Sequence, residues 1–252
     1  MTDEAPDRPD PGGDPRVTGE RLRTLPGPDG AGTVTLVGVV HDHPASSYRV
    51  RRVVADVSPT VLALEVPPLA VPLYEQYATD ERTPPAFGGE MSAAVQAATT
   101  DRVVGIDGPT PGFVARLART LLRERASLPT AGQVARGLLV VARTALVCRL
   151  AATLAALTSL RVEVDSPVVY DGVPSDDPAR QAADEREHIV GAHSVLDALS
   201  PPRAVRFRDE TREAHMAERL RELREGDDVV AVVGYGHLDG LVERLRPAEN
   251  GP

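Results

Sequence analysis

Hydrophobic and polar residues along this 252-residue chain change period several times, and each change marks an element. Residues 33–40, Thr-Val-Thr-Leu-Val-Gly-Val-Val, form a short β-branched run bounded by glycine, which predicts a buried parallel strand. Val50, Val53, Val54 and Val57 recur at helical spacing within 46–57. Ser58-Pro59 ends that helix, because the residue before a proline is pushed out of the helical region. Residues 61–66, Val-Leu-Ala-Leu-Glu-Val, predict a second buried strand with a carboxylate near its C-terminal end. A proline-rich connection with some helix covers 67–86, a helix runs from Glu90 to Ala98 after Gly88-Gly89, and 102–107 predicts a third strand. Long helical stretches follow at about 111–126 and 131–160, then mixed sequence over 162–207 with a helix at about 178–199. A highly charged helix covers 209–225. Residues 228–233 predict a fourth strand, Gly234-Tyr235-Gly236-His237 its turn, and 238–246 a closing helix. Strands separated by helices predict an α/β fold, a mostly parallel sheet flanked by helices with a helical insertion at about 111–200.

Composition changes this picture at the ends and in the long helix. Residues 1–31 hold Pro6, Pro9, Pro11, Pro15, Pro26 and Pro28 among acids and glycines, a mixture that buries too little apolar area to offset ordering, and predict a disordered tail rather than a targeting signal. The ordered single domain is then expected over 32–252. The stretch 131–160 is the most apolar in the chain, but Arg136, Arg143 and Arg149 interrupt it, and arginines at mid-bilayer depth are costly. It predicts an amphipathic helix packed on the core or on a second copy as a homodimer, without stable membrane insertion. A net charge of −9 argues against nucleic-acid binding, which rests on clustered positive charge. The single cysteine, Cys148, excludes an intramolecular disulfide framework and points to a reducing, cytoplasmic setting. Cys148 itself is expected as a small buried hydrophobe.

Candidate chemistry lies where strands end. The first strand ends Gly38-Val39-Val40-His41 and the last Gly234-Tyr235-Gly236-His237, so each places a histidine three residues after a glycine. Ligands in open α/β sheets bind outside the carboxyl ends of strands, so two histidines almost 200 residues apart can face one site. Glu65 ends the second strand on the same edge and Asp107 the third. An acid in an otherwise apolar strand is costly unless paired or functional, which singles out Glu65. Two imidazoles and two carboxylates suit a divalent metal, or a general base and its orienter without one. His43 in His41-Asp42-His43 is a reserve candidate, Pro44 favouring a simple loop. His188, His193 and His215 lie in polar helical sequence and read as surface residues.

These residues also resemble a known family. Residues 38–47, Gly-Val-Val-His-Asp-His-Pro-Ala-Ser-Ser, followed by Pro59 and Leu64-Glu65-Val66, look like the opening of the TraB/PrgY family, which is related to the TIKI proteins. Gly89-Glu90-Met91-Ser92-Ala93-Ala94 resembles its G-E-hydrophobic-x-A-A helix start, and Val104-Gly105-Ile106-Asp107 its following strand and acid. Residues 208–216 resemble its R-D-x-x-R-x-x-x-M helix, and 232–240 its closing G-x-G-H-x-x-G turn. The pieces fall in the family's order across roughly 33–246. Two departures stand out: Gly108 follows Asp107 where the family commonly has arginine, and the chain stops at Pro252 without the C-terminal membrane portion of many members, which favours a soluble protein.

The resemblance implies an erythromycin-esterase-like (EreA/ChaN-like) fold whose active centre holds His41, Glu65 and His237, with Glu90, Asp107 and Arg212 around it and Tyr235 as a further candidate. It implies a metal-dependent peptidase-like hydrolase, with Mn, Co or Zn held by His41, His237 and Glu65 or Glu90 and a remaining carboxylate as base. Arg212 would anchor a carboxylate or stabilise the oxyanion, or else form a salt bridge to Asp209 or Glu65 that orders the site. Two other readings stand beside it. One is a PrgY-like protein that binds a peptide or small molecule and turns nothing over. The other is a metal-free esterase with His41 as base and Glu65 as orienter.

Overall fold

The computed structural model describes residues 13–83, 85–158, 177–199 and 203–246. Its centre is a pair of parallel strands, β2 (Val34–Val39) and β5 (Val229–Gly234), in which every residue is buried. Their β-branched sequences suit a position covered on both faces. β3 (Val61–Leu64) and β4 (Val103–Gly105) continue the sheet in parallel, and β1 (Leu22–Leu25) closes the far edge antiparallel to β2, in the order β1-β2-β5-β3-β4. The expected α/β architecture with a mostly parallel sheet is present.

Side-chain alternation along the strands makes two cores. Val34, Leu36, Val61, Ala63, Val229, Ala231 and Val233 face α7 (Arg203–Arg224) and α8 (Tyr235–Leu245), meeting Met216, Leu220, Leu238 and Leu241. Val37, Val39, Leu62, Leu64, Val230 and Val232 face the other way, onto Val50, Val53 and Val54 of α1 (Pro44–Val57) and Met91 and Ala94 of α3 (Gly89–Ala97). This is a helix–sheet–helix sandwich. The short α2 (Val71–Ala78) leads into α3, and α6 (Pro178–Leu199) lies against α1.

Local sequence explains several boundaries. Pro44 opens α1 with His43 as its N-cap, and Ser58 closes it in a left-handed conformation at φ 48°. Thr110 caps α4 (Pro111–Arg123), its hydroxyl accepting from the Phe113 amide at 3.1 Å. Ser127 caps α5 (Leu128–Leu157) in the same way.

Three expectations need correction. The proposed tail over 1–31 contains β1, because Leu22 and Leu25 reach opposite cores and the free edge of β2 supplies the ladder; the surrounding prolines mask that signal. The proposed turn at 234–237 is already helix, since α8 starts at Tyr235 directly off β5 and carries His237 in its first turn. His215 is buried rather than superficial, its Nε2 3.2 Å from the Thr110 hydroxyl and its ring edge-on to Phe113. Burial pushes its pKa down. The side chain of His193 lies outside the described residues.

α5 is the one helix among the described residues long and apolar enough to cross a membrane by length and composition. It packs inward through Val134, Leu138, Ala145, Cys148 and Ala152, with Cys148 only partly buried. Its outer face, including Arg136, Arg143, Arg149, Leu139, Leu150 and Leu157, is exposed.

Candidate functional site

Parallel strands end on one edge, and the register fixes what meets there. Val39 pairs with Gly234, and Leu64 with both Val232 and Gly105, so His41, Glu65, Asp107 and His237 all emerge at the same side of the sheet. Two connected clusters result.

The first is His41 with Glu90. Glu90 Oε1 lies 2.7 Å from His41 Nδ1, and its Oε2 accepts from the Asp42 amide at 2.9 Å. Glu90 is 2% exposed at the start of α3, where the helix dipole favours a carboxylate. His41, in contrast, has 61% of its side chain exposed. The Glu90 hydrogen bond raises the His41 pKa above the ordinary imidazole value, outweighing burial, with the charges of Glu90, Glu65 and Asp42 adding to the rise. Asp42, at φ 60°, has its own pKa raised by burial and by the Glu90 charge. Gly88 and Gly89 make this approach feasible: both are left-handed, and a Cβ on Gly89 would lie 2.4 Å from Asp42 Oδ1. His41 Nε2 points toward the end of β5, 3.5 Å from where a Cβ on Gly234 would sit.

The second cluster centres on Arg212 of α7. Its Nε and Nη2 fork onto Asp107 at 2.7–3.1 Å, and Nη2 also donates to Glu65 Oε1 at 2.6 Å. Glu65 Oε2 accepts from the Gly234 amide at 2.6 Å, so both carboxylate oxygens are engaged. Burial opposes the Arg212 charge, but the bonds to Asp107 outweigh it and raise its pKa further. Arg212 Nη1 faces His237 Nε2 at 3.1 Å, while His237 Nδ1 meets Glu213 at 3.2 Å. Burial lowers the His237 pKa, yet Glu213 and Glu65 together carry it above the ordinary value. Tyr235, in the first turn of α8, packs beside Gly38 and the α7–α8 core.

The expected residues therefore lie at one edge, with different partners than expected. Glu90, and not Glu65, orients His41. Arg212 takes the salt-bridge role, with Asp107 and Glu65 rather than Asp209. Glu213, which sequence reasoning missed, holds His237; its one signal was Gly240, three residues after His237, where a Cβ would fall 2.3 Å from Glu213 Oε2. His43 is fully buried and turns away, its Nδ1 accepting from the Ala45 amide at 3.1 Å.

A single ion on His41, His237 and Glu65 needs a lone pair from each. Glu65 Oε1 and His237 Nε2 are instead directed at the Arg212 guanidinium, a permanent cation, so the trio as arranged does not fit one metal. Another grouping with metal-like spacing is His43, Asp184 and His188, whose ligand atoms lie within 4.8 Å of one another. Here His43 Nδ1 is already an acceptor, so Nε2 carries the hydrogen it directs at Asp184 Oδ2, 3.0 Å away. His188 Nδ1 likewise faces the Asp184 carbonyl at 2.9 Å. His43 thus acts there as a donor, while the group as a whole has the spacing to hold a metal ion.

No protein-family model, curated protein or solved structure matches this chain.

Proposed function

We propose that this chain is a metal-free hydrolase of carboxylic esters or amides in which His41 is the general base and Glu90 its orienter. The observation that carries the reading is the Glu90–His41 bond of 2.7 Å, made by a buried carboxylate whose other oxygen is held by the Asp42 amide, behind an imidazole open to solvent. Glu90 fixes the tautomer with hydrogen on Nδ1, which makes Nε2 the ring nitrogen that acts as base.

His41 Nε2 takes a proton from that water as its oxygen bonds to the substrate carbonyl carbon. The tetrahedral oxyanion then forms beside the N-terminus of α8, where Gly236 is exposed. Collapse breaks the bond to the leaving group, which receives the proton back from His41. Arg212, Asp107 and Glu65 position the strand ends, Glu65 by holding the Gly234 amide at the foot of α8. The order of motifs that resembles the TraB family supports the same site, and its erythromycin-esterase relatives imply a histidine base without metal.

The test is turnover of simple esters and peptides by the purified chain in the presence of a chelator. The reading expects hydrolysis that survives chelation and falls by about 100- to 10,000-fold in His41→Asn. Turnover no higher than that of His41→Asn would contradict it. So would turnover that a chelator abolishes and Mn, Co or Zn restores, which would return the metallohydrolase to the lead.

A further inference from the structure

Next to the strand-end site, α4, α5 and α7 border a half-open pocket of about 280 Å³ that shares Asp107 and Arg212 with that site. Its walls are Phe113, Leu117, Val134, Leu138 and Val141, and its rim carries Arg208 and Arg212. Its wall leaves Val141 exposed beside the site, apolar surface that a ligand would cover.

Gly137 strengthens the case for a ligand. It lies within α5, where glycine destabilises a helix by about 1 kcal/mol relative to alanine. It borders the cavity, and a Cβ there would meet nothing within 4 Å, so no packing contact demands a glycine. A glycine there leaves room at the pocket wall. The charges at the rim are already balanced: Arg212 by Asp107 and Glu65, and Arg208 by Asp209 at 3.0 Å. An apolar lining with a neutralised rim suits an aliphatic chain whose head group stays outside the pocket.

We propose that this cavity is the acyl-chain subsite of the hydrolase, taking an unbranched aliphatic chain of medium length. At roughly 30 Å³ for each heavy atom, it accommodates about nine. The chain would lie between α4 and α5, leaving the carbonyl at the Asp107–Arg212 rim on the side of His41. This assignment rests on the hydrolase reading for its role and on the cavity alone for its binding.

The experiment compares p-nitrophenyl acetate, butyrate, octanoate and laurate as substrates, together with calorimetric binding of decanoate to the intact chain. The wild type should gain about two- to fourfold in kcat/KM per methylene up to about eight carbons and then level off. Gly137→Leu, which fills the cavity and improves helix propensity, should reduce the octanoate-to-acetate ratio at least tenfold and weaken decanoate binding to a similar extent. Leu117→Ala, which enlarges the cavity, should move the optimum toward laurate. Hydrolysis with a chain-length profile that neither variant changes would overturn the subsite while leaving His41 as base. Decanoate binding that Gly137→Leu removes, with no ester hydrolysed, would keep the pocket and overturn the hydrolase. Neither hydrolysis nor binding would overturn both.

Discussion

At the scale of single residues, the contrast between Glu65 and Glu90 shows what a carboxylate's partners decide. Both are buried acids at one sheet edge, yet Glu65 spends its oxygens on Arg212 and the Gly234 amide, while Glu90 spends one on His41. Only Glu90 can therefore act through an exposed imidazole. Its placement depends on the left-handed pair Gly88-Gly89. Gly89→Ala introduces a Cβ where Asp42 Oδ1 now lies and strains a backbone at φ 47°. A displacement near 1 Å at such a site costs up to ~100-fold in rate. Gly89→Ala should lower ester hydrolysis by about 10- to 100-fold with the circular-dichroism spectrum unchanged; an unimpaired rate would show that the close approach is not needed.

At the scale of elements, an ion cluster ties the helical cover to the sheet. Glu185 of α6 is fully buried and pairs with Arg49 of α1, whose Nη1 donates to the Gly38 carbonyl of β2 at 2.8 Å and whose Nε donates to the Arg16 carbonyl at 2.6 Å. Arg21 Nε lies 3.2 Å from the same carboxylate without hydrogen-bond geometry. Burial opposes the Glu185 charge, but the Arg49 bonds outweigh it and hold the carboxyl below its ordinary value. Its stabilising contribution is thus complete above the ordinary carboxylate range and is lost as pH falls through the depressed value. Glu185→Ala leaves two buried arginines without their anion and should destabilise the fold by about 3–5 kcal/mol in urea denaturation. A change below 1 kcal/mol would mean water already screens the cluster. Nothing in the sequence announced this pairing, because Arg49 and Glu185 are separated by 136 residues and each lies in an ordinary helical pattern.

The elements themselves were largely legible. Runs such as Val34–Val39 and Val229–Gly234 have no polar face to hide, and parallel strands must end together, so His41, Glu65, Asp107 and His237 could be assigned to one edge from sequence. What could not be read was which acid meets which base, since Glu90 and Glu213 arrive on separate helices whose packing no period records. β1 was hidden for a related reason: its four residues are ordered by the edge of β2, not by their own composition.

At the scale of the whole molecule, the sheet edge, α3 and α8 converge on one open imidazole, and the central claim is that Glu90 tunes it as a base. A base must be unprotonated to act, so the raised His41 pKa places the acid limb of the rate profile above the ordinary imidazole value of 6.5. Removing the charge on Glu90 removes the leading cause of that rise. The decisive measurement is kcat/KM for ester hydrolysis against pH, with chelator present, for the wild type and Glu90→Gln. The account predicts a limb above 6.5 in the wild type that moves to lower pH in the variant, with a reduced plateau. A limb that stays in place, or a profile that appears only when a divalent metal is added, would contradict it.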